Sequence, residues 1–169
     1  MESHDTIEVQ KGGFYMFFLI LTGIIFFMEY HAKRHMDKAY EHKDRRPLAG
    51  GKLVLRKYYN TGAAGNFLSS RPGCVRLLHT STLAAVFAFL LYLLPKKGMY
   101  AAKTGLSFLA GGGLSNLHDR IRKGYVVDYF SFGFGPKWFQ KLVFNMADFF
   151  VFAGILLVLI QYFKKEGKL

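Results

Sequence analysis

Four long runs of apolar residues constrain the fold of this chain more than any other feature. A helix needs about 20 apolar residues to cross roughly 30 Å of hydrocarbon, and each run is close to that length. Because the runs alternate with polar, charged segments, they predict an all-α integral membrane fold with four transmembrane helices. The predicted spans are residues 13–29, 77–94, 100–118 and 142–163.

Two longer polar segments, residues 30–76 and 119–141, separate these spans. With four spans, both segments lie on one side of the membrane and both termini on the other. Residues 52–59 have the β-branched and aromatic content of a short strand, and the charge density of residues 33–46 indicates a surface helix. We therefore expect a small β/loop platform on the membrane surface, within a single membrane-embedded domain over residues 1–169.

The charge of the chain indicates a membrane partner. Its formal net charge is +12, although 51% of its residues are hydrophobic. A basic excess suits nucleic acid or anionic lipid. With four apolar runs we expect anionic lipid headgroups and no nucleic acid. Seven of the 23 Lys and Arg residues lie on the side of the termini and the other sixteen on the side of the long polar segments. The positive-inside rule alone would therefore put those segments in the cytoplasm.

Asp148 stands out because it lies one or two turns inside the predicted fourth span. A carboxylate near the centre of a bilayer costs about 2.5 kcal/mol or more, and it normally faces a partner or a water-filled cavity. The best candidate partner is Asp128, in the polar segment before this span. The two carboxylates predict an acid–base pair, although a lone intramembrane Asp could also serve as a helix-packing hydrogen-bonder.

Three polar islands fall at the same end of the predicted spans, which favours a single site. They are residues 60–64, 111–128 and 145–148. In the second island, Asn116, Asp119 and Arg120 are spaced i, i+3 and i+4, so they share one helical face. The spacing leaves open whether Asp119 and Arg120 line the site or form a structural ion pair.

Two other patterns favour structure over chemistry. Gly111 and Ser115 are spaced i, i+4, which is typical of close helix packing. His31 and His35 have the spacing of metal ligands, but no His-Glu-x-x-His motif accompanies them. We therefore expect neither a metal site nor a cofactor.

Together the islands resemble the bacterial lipoprotein signal peptidase family, also called signal peptidase II. Gly-Gly-Gly-Leu-Ser-Asn-Leu-His-Asp-Arg at 111–120, followed by Gly-Tyr-Val-Val-Asp at 124–128, is similar to the family's central motif. Phe-Asn-Met-Ala-Asp at 144–148 is similar to its last motif, and Asn-Thr-Gly-Ala-Ala at 60–64 to its Asn-x-Gly-Ala-Ala motif.

The resemblance implies a site and a function. It implies Asp128 and Asp148 as the catalytic pair of a membrane aspartic endopeptidase. The substrate would be a diacylglyceryl-modified prolipoprotein, cut just before its lipidated Cys. Other polar positions would line or support the site: Asn60, Gly62, Asn116, Asp119, Arg120 and Asn145.

The resemblance also implies a location and a ligand. The site would lie at the outer face of the bacterial cytoplasmic membrane, so the β/loop platform would be extracytoplasmic and the termini cytoplasmic. This orientation disagrees with the Lys and Arg count. A globomycin-type inhibitor is the implied ligand, and we expect a monomer.

Three departures from the family pattern indicate a divergent branch. The first span ends in Glu29-Tyr-His-Ala-Lys33, where the family carries Asp-Gln-x-x-Lys. Ser115 replaces a usual Gly. Gly65 and Asn66 separate the two Ala residues from Phe67, whereas in the family Phe follows the two Ala residues directly.

The chemistry of the pair follows from electrostatics. Two close carboxylates cannot both ionise cheaply, so one holds a proton while the other is charged. The charged group takes a proton from the attacking water, and the protonated group hydrogen-bonds the peptide carbonyl and helps protonate the leaving amine. Asn60, Asn145 or Arg120 could stabilise the oxyanion. Two other functions suit the same residues: an inactive relative that binds lipopeptides, and a small ion-coupled transport component.

Overall fold

The computed structural model describes residues 2–41, 44–63 and 68–167, which form helices and a small sheet. In chain order the elements are α1 (Glu2–Ala39), β1 (Arg45–Leu48), a 3-10 turn (Ala49–Gly51), β2 (Leu53–Asn60), α2 (Pro72–Leu93), α3 (Tyr100–Arg122), β3 (Val126–Phe132), α4 (Lys137–Lys141) and α5 (Met146–Lys165).

Helix α3 lies at the centre of the bundle, and glycines let its neighbours approach closely. A Cβ atom on Gly105 would lie 2.6 Å from the carbonyl oxygen of Gly154 on α5. A Cβ atom on Gly111 would lie 2.7 Å from the carbonyl oxygen of Thr22 on α1. Backbones this close leave no room for a side chain. The prediction that Gly111 serves close helix packing is therefore confirmed.

Helices α1 and α3 run in the same direction, and α5 runs against them. Contacts between α1 and α3 advance together, from Thr22 with Ser107 to Lys33 with Asn116. Contacts between α3 and α5 run in opposite order, since Gly105 meets Gly154 whereas Gly112 on α3 meets Ala147. The start of α1 and the end of α5 therefore lie at one end of the bundle, and the sheet lies at the other.

Within the described ranges, three helices are long and apolar enough to cross a membrane. They are residues Tyr15–Ala39 of α1, and the whole of α2 and α5. Helix α3 coincides closely with the predicted third span, but its sequence is too polar for it to count among these three. It can hold polar residues because its side chains are buried against the other helices along its length from Ala102 to Arg120.

Helix α1 corrects two expectations. It is one helix as far as Ala39, so it continues beyond the predicted end of the span at residue 29. Of the predicted surface helix at residues 33–46, residues 33–39 belong to α1 and residues 45–46 to β1. The charge density was misleading because one face of α1 stays buried through this segment. Its inward positions follow the helical period, at Phe18, Thr22, Ile25, Glu29, Lys33 and Met36.

The predicted platform is a three-stranded antiparallel sheet in the order β1-β2-β3. The strand predicted at residues 52–59 is β2, whereas β3 was not predicted. Strand β3 is buried at every position before Phe132, so it lacks the alternation of a half-exposed strand. Its pairing with β2 sets Asp128 opposite Tyr58, beside a β-bulge that lies between Leu55 and Tyr58.

Aromatic residues fasten β3 to the start of α5. Phe144 and Phe130 exchange backbone hydrogen bonds, with N···O distances of 2.7 and 3.0 Å. The Phe149 ring on α5 stacks on the Phe130 ring, with centroids 5.1 Å apart. Because Phe144 pairs with the sheet, the last long helix begins at Met146 and not at the predicted residue 142.

Candidate active site

Asp128 lies on β3, and amide groups hold both of its carboxylate oxygens. Its side chain is 2% exposed. Asn145 donates from Nδ2 to Oδ1 at 2.6 Å, and Asn60 donates from Nδ2 to Oδ2 at 3.1 Å. Burial, together with the nearby Asp148 carboxylate, raises the pKa of Asp128 to about 7 despite these hydrogen bonds. Asp128 can therefore hold or release a proton near neutral pH.

Asp148 lies in the first turn of α5, which corrects the expectation that it would lie one or two turns inside the span. It forms a capping box with Asn145. Asp148 Oδ2 accepts from the Asn145 backbone N at 3.0 Å, and Asn145 Oδ1 accepts from the Asp148 backbone N at 3.2 Å. A carboxylate in the first turn also interacts favourably with the helix dipole. The start of the helix thus fixes the position of this carboxylate.

Asn145 connects the two carboxylates directly. Its backbone N–H donates to Asp148 and its side-chain NH₂ donates to Asp128, so one residue holds both acids. Asn116 on α3 adds a second connection, because its Nδ2 donates to Asp148 Oδ1 at 3.2 Å. Asn116 Oδ1 in turn accepts from Asn145 Nδ2 at 3.3 Å. The structure therefore brings the second and third predicted islands into one hydrogen-bond network.

The first island reaches the site through Asn60, at the end of β2. Asn60 Oδ1 accepts from the Gly62 backbone N at 3.0 Å, which leaves Nδ2 free to bind Asp128. Arg120 donates to the Gly62 carbonyl oxygen at 2.6 Å and so ties this turn to α3. Ala64 and the Gly65 departure lie outside the described residues.

Asp119 and Arg120 have separate partners. Asp119 accepts from the Val127 backbone N at 3.2 Å, and it forms ion pairs with Lys33 at 3.5 Å and Lys123 at 3.2 Å. Arg120 binds the Gly62 carbonyl oxygen. The alternative of an Asp119–Arg120 ion pair is therefore not what the structure shows. Each residue instead braces one of the strands that carry the amide and acid groups of the site.

Three residues near the site were not among the predicted site residues: Lys33, Glu29 and Tyr129. Lys33 donates to Asn116 Oδ1 at 2.5 Å and to Ser115 Oγ at 3.1 Å. Glu29 forms an ion pair with Lys33 at 3.9 Å and accepts a hydrogen bond from Tyr129 at 2.9 Å. The i, i+4 spacing of Glu29 and Lys33, in phase with the apolar face of α1, was the signal that could have identified them.

This geometry presents two carboxylates within an uncharged amide cradle, beside one buried cation. Such a site can take up a proton on one acid and give one up on the other. A profile of the Signal peptidase (SPase) II family matches residues 21–164, a range that contains the whole network. The chain belongs to the signal peptidase II family.

Proteins named lipoprotein signal peptidase match this signal peptidase II chain over most of its length. That of Neisseria meningitidis serogroup C is 31% identical over 153 residues, covering 89% of the chain and 91% of the relative. That of Chromobacterium violaceum is 26% identical over 149 residues, covering 88% and 91%. That of Caldicellulosiruptor bescii is 35% identical over 121 residues, covering 72% and 74%.

Two solved structures share the fold of the signal peptidase II chain. Both are described as bacterial membrane enzymes determined by the in meso method, at 2.3 and 1.9 Å resolution. The first superposes with a TM-score of 0.74 at 20% identity and covers 88% of each chain. The second has a TM-score of 0.71 at 21% identity and covers 87% of this chain and 92% of its own. The fold is thus that of a helical membrane enzyme. Family membership makes the chain a peptidase, and it does not favour the inactive-relative or ion-transport alternatives.

Proposed function

We propose that this signal peptidase removes the signal peptide from diacylglyceryl-modified prolipoproteins by cleaving just before the lipidated Cys. In this proposal Asp128 and Asp148 are the catalytic pair. The observation that carries it is the double contact of Asn145, whose backbone and side chain hold the two carboxylates. The hydrogen bonds to the two carboxylates come from amide groups, and the buried Lys33 donates to Asn116 and to neither acid, so repulsion between the two acids favours one retained proton.

The reaction uses the pair as one unit. One carboxylate accepts a proton from water as the water oxygen bonds to the scissile carbonyl carbon. The other carboxyl group donates a hydrogen bond to the developing oxyanion. The C–N bond then breaks, the amine leaves with a proton from the pair, and the original protonation state returns. The pair titrates jointly, so the two steps are not assigned to one Asp each.

The surrounding polar residues hold this geometry. Asn60 and Asn145 keep Asp128 in place, and Asn116 does the same for Asp148. Arg120 holds the turn at Gly62, and its guanidinium supplies positive charge near the site. Asp119 joins α1 and α3 to the strand that carries Asp128.

Helix α3 is the proposed fourth span. It packs against the three apolar helices and runs parallel to α1, whose length suffices to cross a bilayer. Close packing through Gly105 and Gly111 is typical of membrane helices. The lipid-facing surface of the bundle then comes mainly from the other three helices, which explains why α3 tolerates its polar residues.

The proposed location is the bacterial cytoplasmic membrane, with the site at its outer face and both termini in the cytoplasm. A prolipoprotein that has been exported and lipidated presents its Cys at that face. We propose that the enzyme acts as a monomer, contacts anionic lipid through its basic surface, and binds a globomycin-type inhibitor in the site.

Cleavage of a lipidated precursor tests this function. The purified protein in detergent is given a precursor peptide with a diacylglyceryl-Cys and, separately, the same peptide with an unmodified Cys. Mass spectrometry should show one cut, just before the Cys, in the lipidated peptide only. Equal cleavage of both peptides, or of neither, would contradict the proposal.

A further inference from the structure

We propose that Tyr129 is a positioning residue for the aspartic pair. Its hydroxyl links Glu29 on α1 to the start of α5 through two hydrogen bonds. This inference rests on the proposed function, because it assigns a role within the same site. Tyr129 follows Asp128 on β3, and its contact on α5 is two residues before Asp148. Its hydroxyl therefore connects the two segments that carry the acids.

The contacts of the hydroxyl are complete and buried. Tyr129 is 7% exposed and Glu29 is 1% exposed. The Tyr129 hydroxyl donates to Glu29 Oε2 at 2.9 Å and accepts from the Met146 backbone N at 3.0 Å. Burial and the Glu29 carboxylate raise the pKa of Tyr129, so the phenol keeps its proton. Because that single proton points to Glu29, a lone pair is left for Met146.

The Met146 N–H has a special position in the helix. It is the first residue of α5, and the first four N–H groups of a helix have no partner within the helix. The capping box of Asn145 with Asp148 satisfies other groups of this turn, whereas Tyr129 satisfies Met146. The first turn of α5 is thus attached to β3 at both Asn145 and Met146.

Two attachments restrain the helix more than one. The backbone pairing of Phe144 with Phe130 and the Asn145–Asp128 hydrogen bond hold the chain just before the helix, and Asn116 binds Asp148 from α3. The Met146–Tyr129 hydrogen bond adds a direct restraint from β3 within the first turn, and so limits the rotation of this turn relative to Asp128. Displacement of a catalytic group by about 1 Å can lower a rate on the order of a hundredfold, so such a restraint matters for turnover.

Glu29 fixes the direction of the hydroxyl. Its other carboxylate oxygen lies 3.9 Å from Lys33 Nζ, one turn along α1. Because Glu29 Oε2 accepts the tyrosine proton, that proton is directed away from Met146. Glu29, which stands where the family carries Asp, thus binds the hydroxyl of Tyr129 directly.

The substitution Tyr129→Phe tests the role, because it removes only the hydroxyl. We expect kcat for the lipidated precursor to fall about tenfold while KM changes less than about twofold, since the substrate contacts remain. Tyr59→Phe is the matched control. Tyr59 lies on the neighbouring strand, and its hydroxyl also donates to a carboxylate of α1, Asp37 Oδ1 at 2.9 Å.

A measurement without substrate separates this inference from the proposed function. The chain has six methionines, so selective ¹⁵N-methionine labelling gives a simple spectrum in which Met146→Leu identifies the Met146 signal. In Tyr129→Phe the Met146 amide should exchange with solvent at least about tenfold faster, whereas in Tyr59→Phe it should not change. If the parent fails to cleave the precursor, the proposed function fails, and the amide exchange still tests the contact.

Glu29→Gln supplies the conservative comparison. The Gln carbonyl oxygen still accepts from the Tyr129 hydroxyl, so we expect kcat within about threefold of the parent. The inference is overturned by unchanged Met146 exchange in Tyr129→Phe, or by an equal loss of kcat in Tyr129→Phe and Tyr59→Phe. It is also overturned if Glu29→Gln loses as much kcat as Tyr129→Phe, because charge and not hydroxyl direction would then matter.

Discussion

Lys33 sets the orientation of the Asn116 amide. Lys33 Nζ donates to Asn116 Oδ1, and Asn145 Nδ2 donates to the same oxygen. With two donors on its oxygen, Asn116 can only present its NH₂ group to Asp148 Oδ1, which is the contact observed. A buried cation on α1 thus decides which group faces one of the two acids, although it touches neither of them through a hydrogen bond.

Lys33 also belongs to a row of charges that alternate in sign. Each neighbour in the row lies within 4 Å of the next, and the row leads from the site to the back of β2. It connects α1, α3 and β2, the elements that carry or brace the site. A buried ion pair contributes little net stability but costs several kcal/mol when one partner is removed, so the buried members Glu29, Lys33 and Asp119 fix how α1 packs on α3. Asp37 and Lys123 are 24% and 28% exposed, so their ion pair contributes less. Its members are Glu29, Lys33, Asp119, Lys123, Asp37 and Lys57.

The first prediction concerns stability at the opposite end of the bundle. Lys103 near the start of α3 donates to the carbonyl oxygens of Leu94 at 2.9 Å and Lys96 at 2.6 Å, at the end of α2. Lys103→Met should lower the Tm by several degrees, since it removes the donor of the buried Leu94 carbonyl and of the partly buried Lys96 carbonyl. Because these contacts lie at the end of the bundle away from the sheet, kcat/KM should stay unchanged. Lys97→Met, at an exposed position in the same connection, is the control. An equal loss of Tm in both variants would contradict this role.

The second prediction concerns the basic surface of β1 and β2. Arg45 and Arg56 are direct cross-strand partners, and Arg46 beside them is exposed. Like charges placed opposite each other are unfavourable, and none of these three arginines forms an ion pair within the described ranges. Anionic headgroups would offset the repulsion. Changing all three to Gln should raise the apparent KM on anionic bilayers more than on neutral ones.

One neighbouring lysine lies outside this basic surface. Lys57 adjoins Arg56 in sequence, but it is buried and bound to Asp37, so it does not belong to the lipid-facing set. The control is a variant with Lys97, Lys164 and Lys165 changed to Gln at the far end of the bundle, which removes the same charge. If both triple variants show the same KM on both lipids, the electrostatic explanation is wrong.

The third prediction concerns orientation. Cys74 is the only cysteine, so a Cys74→Ser background allows single cysteines to be placed at Arg45 and at Glu166, both exposed. With the site at the outer face, an impermeant thiol reagent should label position 45 in intact cells, and position 166 only after the cells are opened. The reverse pattern would overturn the proposed orientation and agree with the Lys and Arg count.

The fourth prediction follows from the raised pKa of Asp128. The folded protein holds this proton up to about pH 7, whereas the unfolded chain loses it near its ordinary pKa of about 4. The folded state therefore binds more protons between these values, and stability contributed by this group falls as the pH rises from about 4 to about 7. Asp128→Asn should raise the Tm above that of the parent at about pH 8, and this gain should vanish near pH 4. Thermal unfolding in detergent measures it, and a gain of equal size at both pH values would contradict the assignment.

The sequence predicted the parts of this molecule that depend on local pattern. Residues 77–94 and 100–118 predicted α2 and α3 closely because helix length and apolar content are local properties. Strand β2 was recognisable from its residue types. Strand β3 was not, because burial on both faces removes the alternation on which strand recognition depends, and its pairing with Phe144 also delays the start of α5.

The site was predictable only in part for the same reason. Asp128, Asp148 and the three asparagines lie in short motifs that a resemblance can identify. The contacts of Lys33, Glu29 and Tyr129 join positions far apart in the sequence, so no window contains both partners. Lys33 also lies within a run of exposed charges, and only its phase relative to the buried face of α1 distinguishes it from Arg34 and His35.

The last prediction concerns the pair itself. Asp128→Asn and Asp148→Asn should each abolish cleavage of the lipidated precursor, because an amide can neither accept the proton of water nor return it. Asn is nearly the same size and uncharged, so both variants should fold, and binding of globomycin with parent-like affinity is the folding control. If the two acids act as one unit, the double variant should be no worse than either single variant.

Asp37→Asn is a matched control, since Asp37 is a carboxylate bound to Lys57 and Lys123 away from the network of amides, and it should retain turnover. Substantial turnover by either dyad variant, in a preparation that binds the inhibitor, would end the aspartic-peptidase assignment, because the remaining carboxylate cannot both activate water and protonate the leaving amine without its partner.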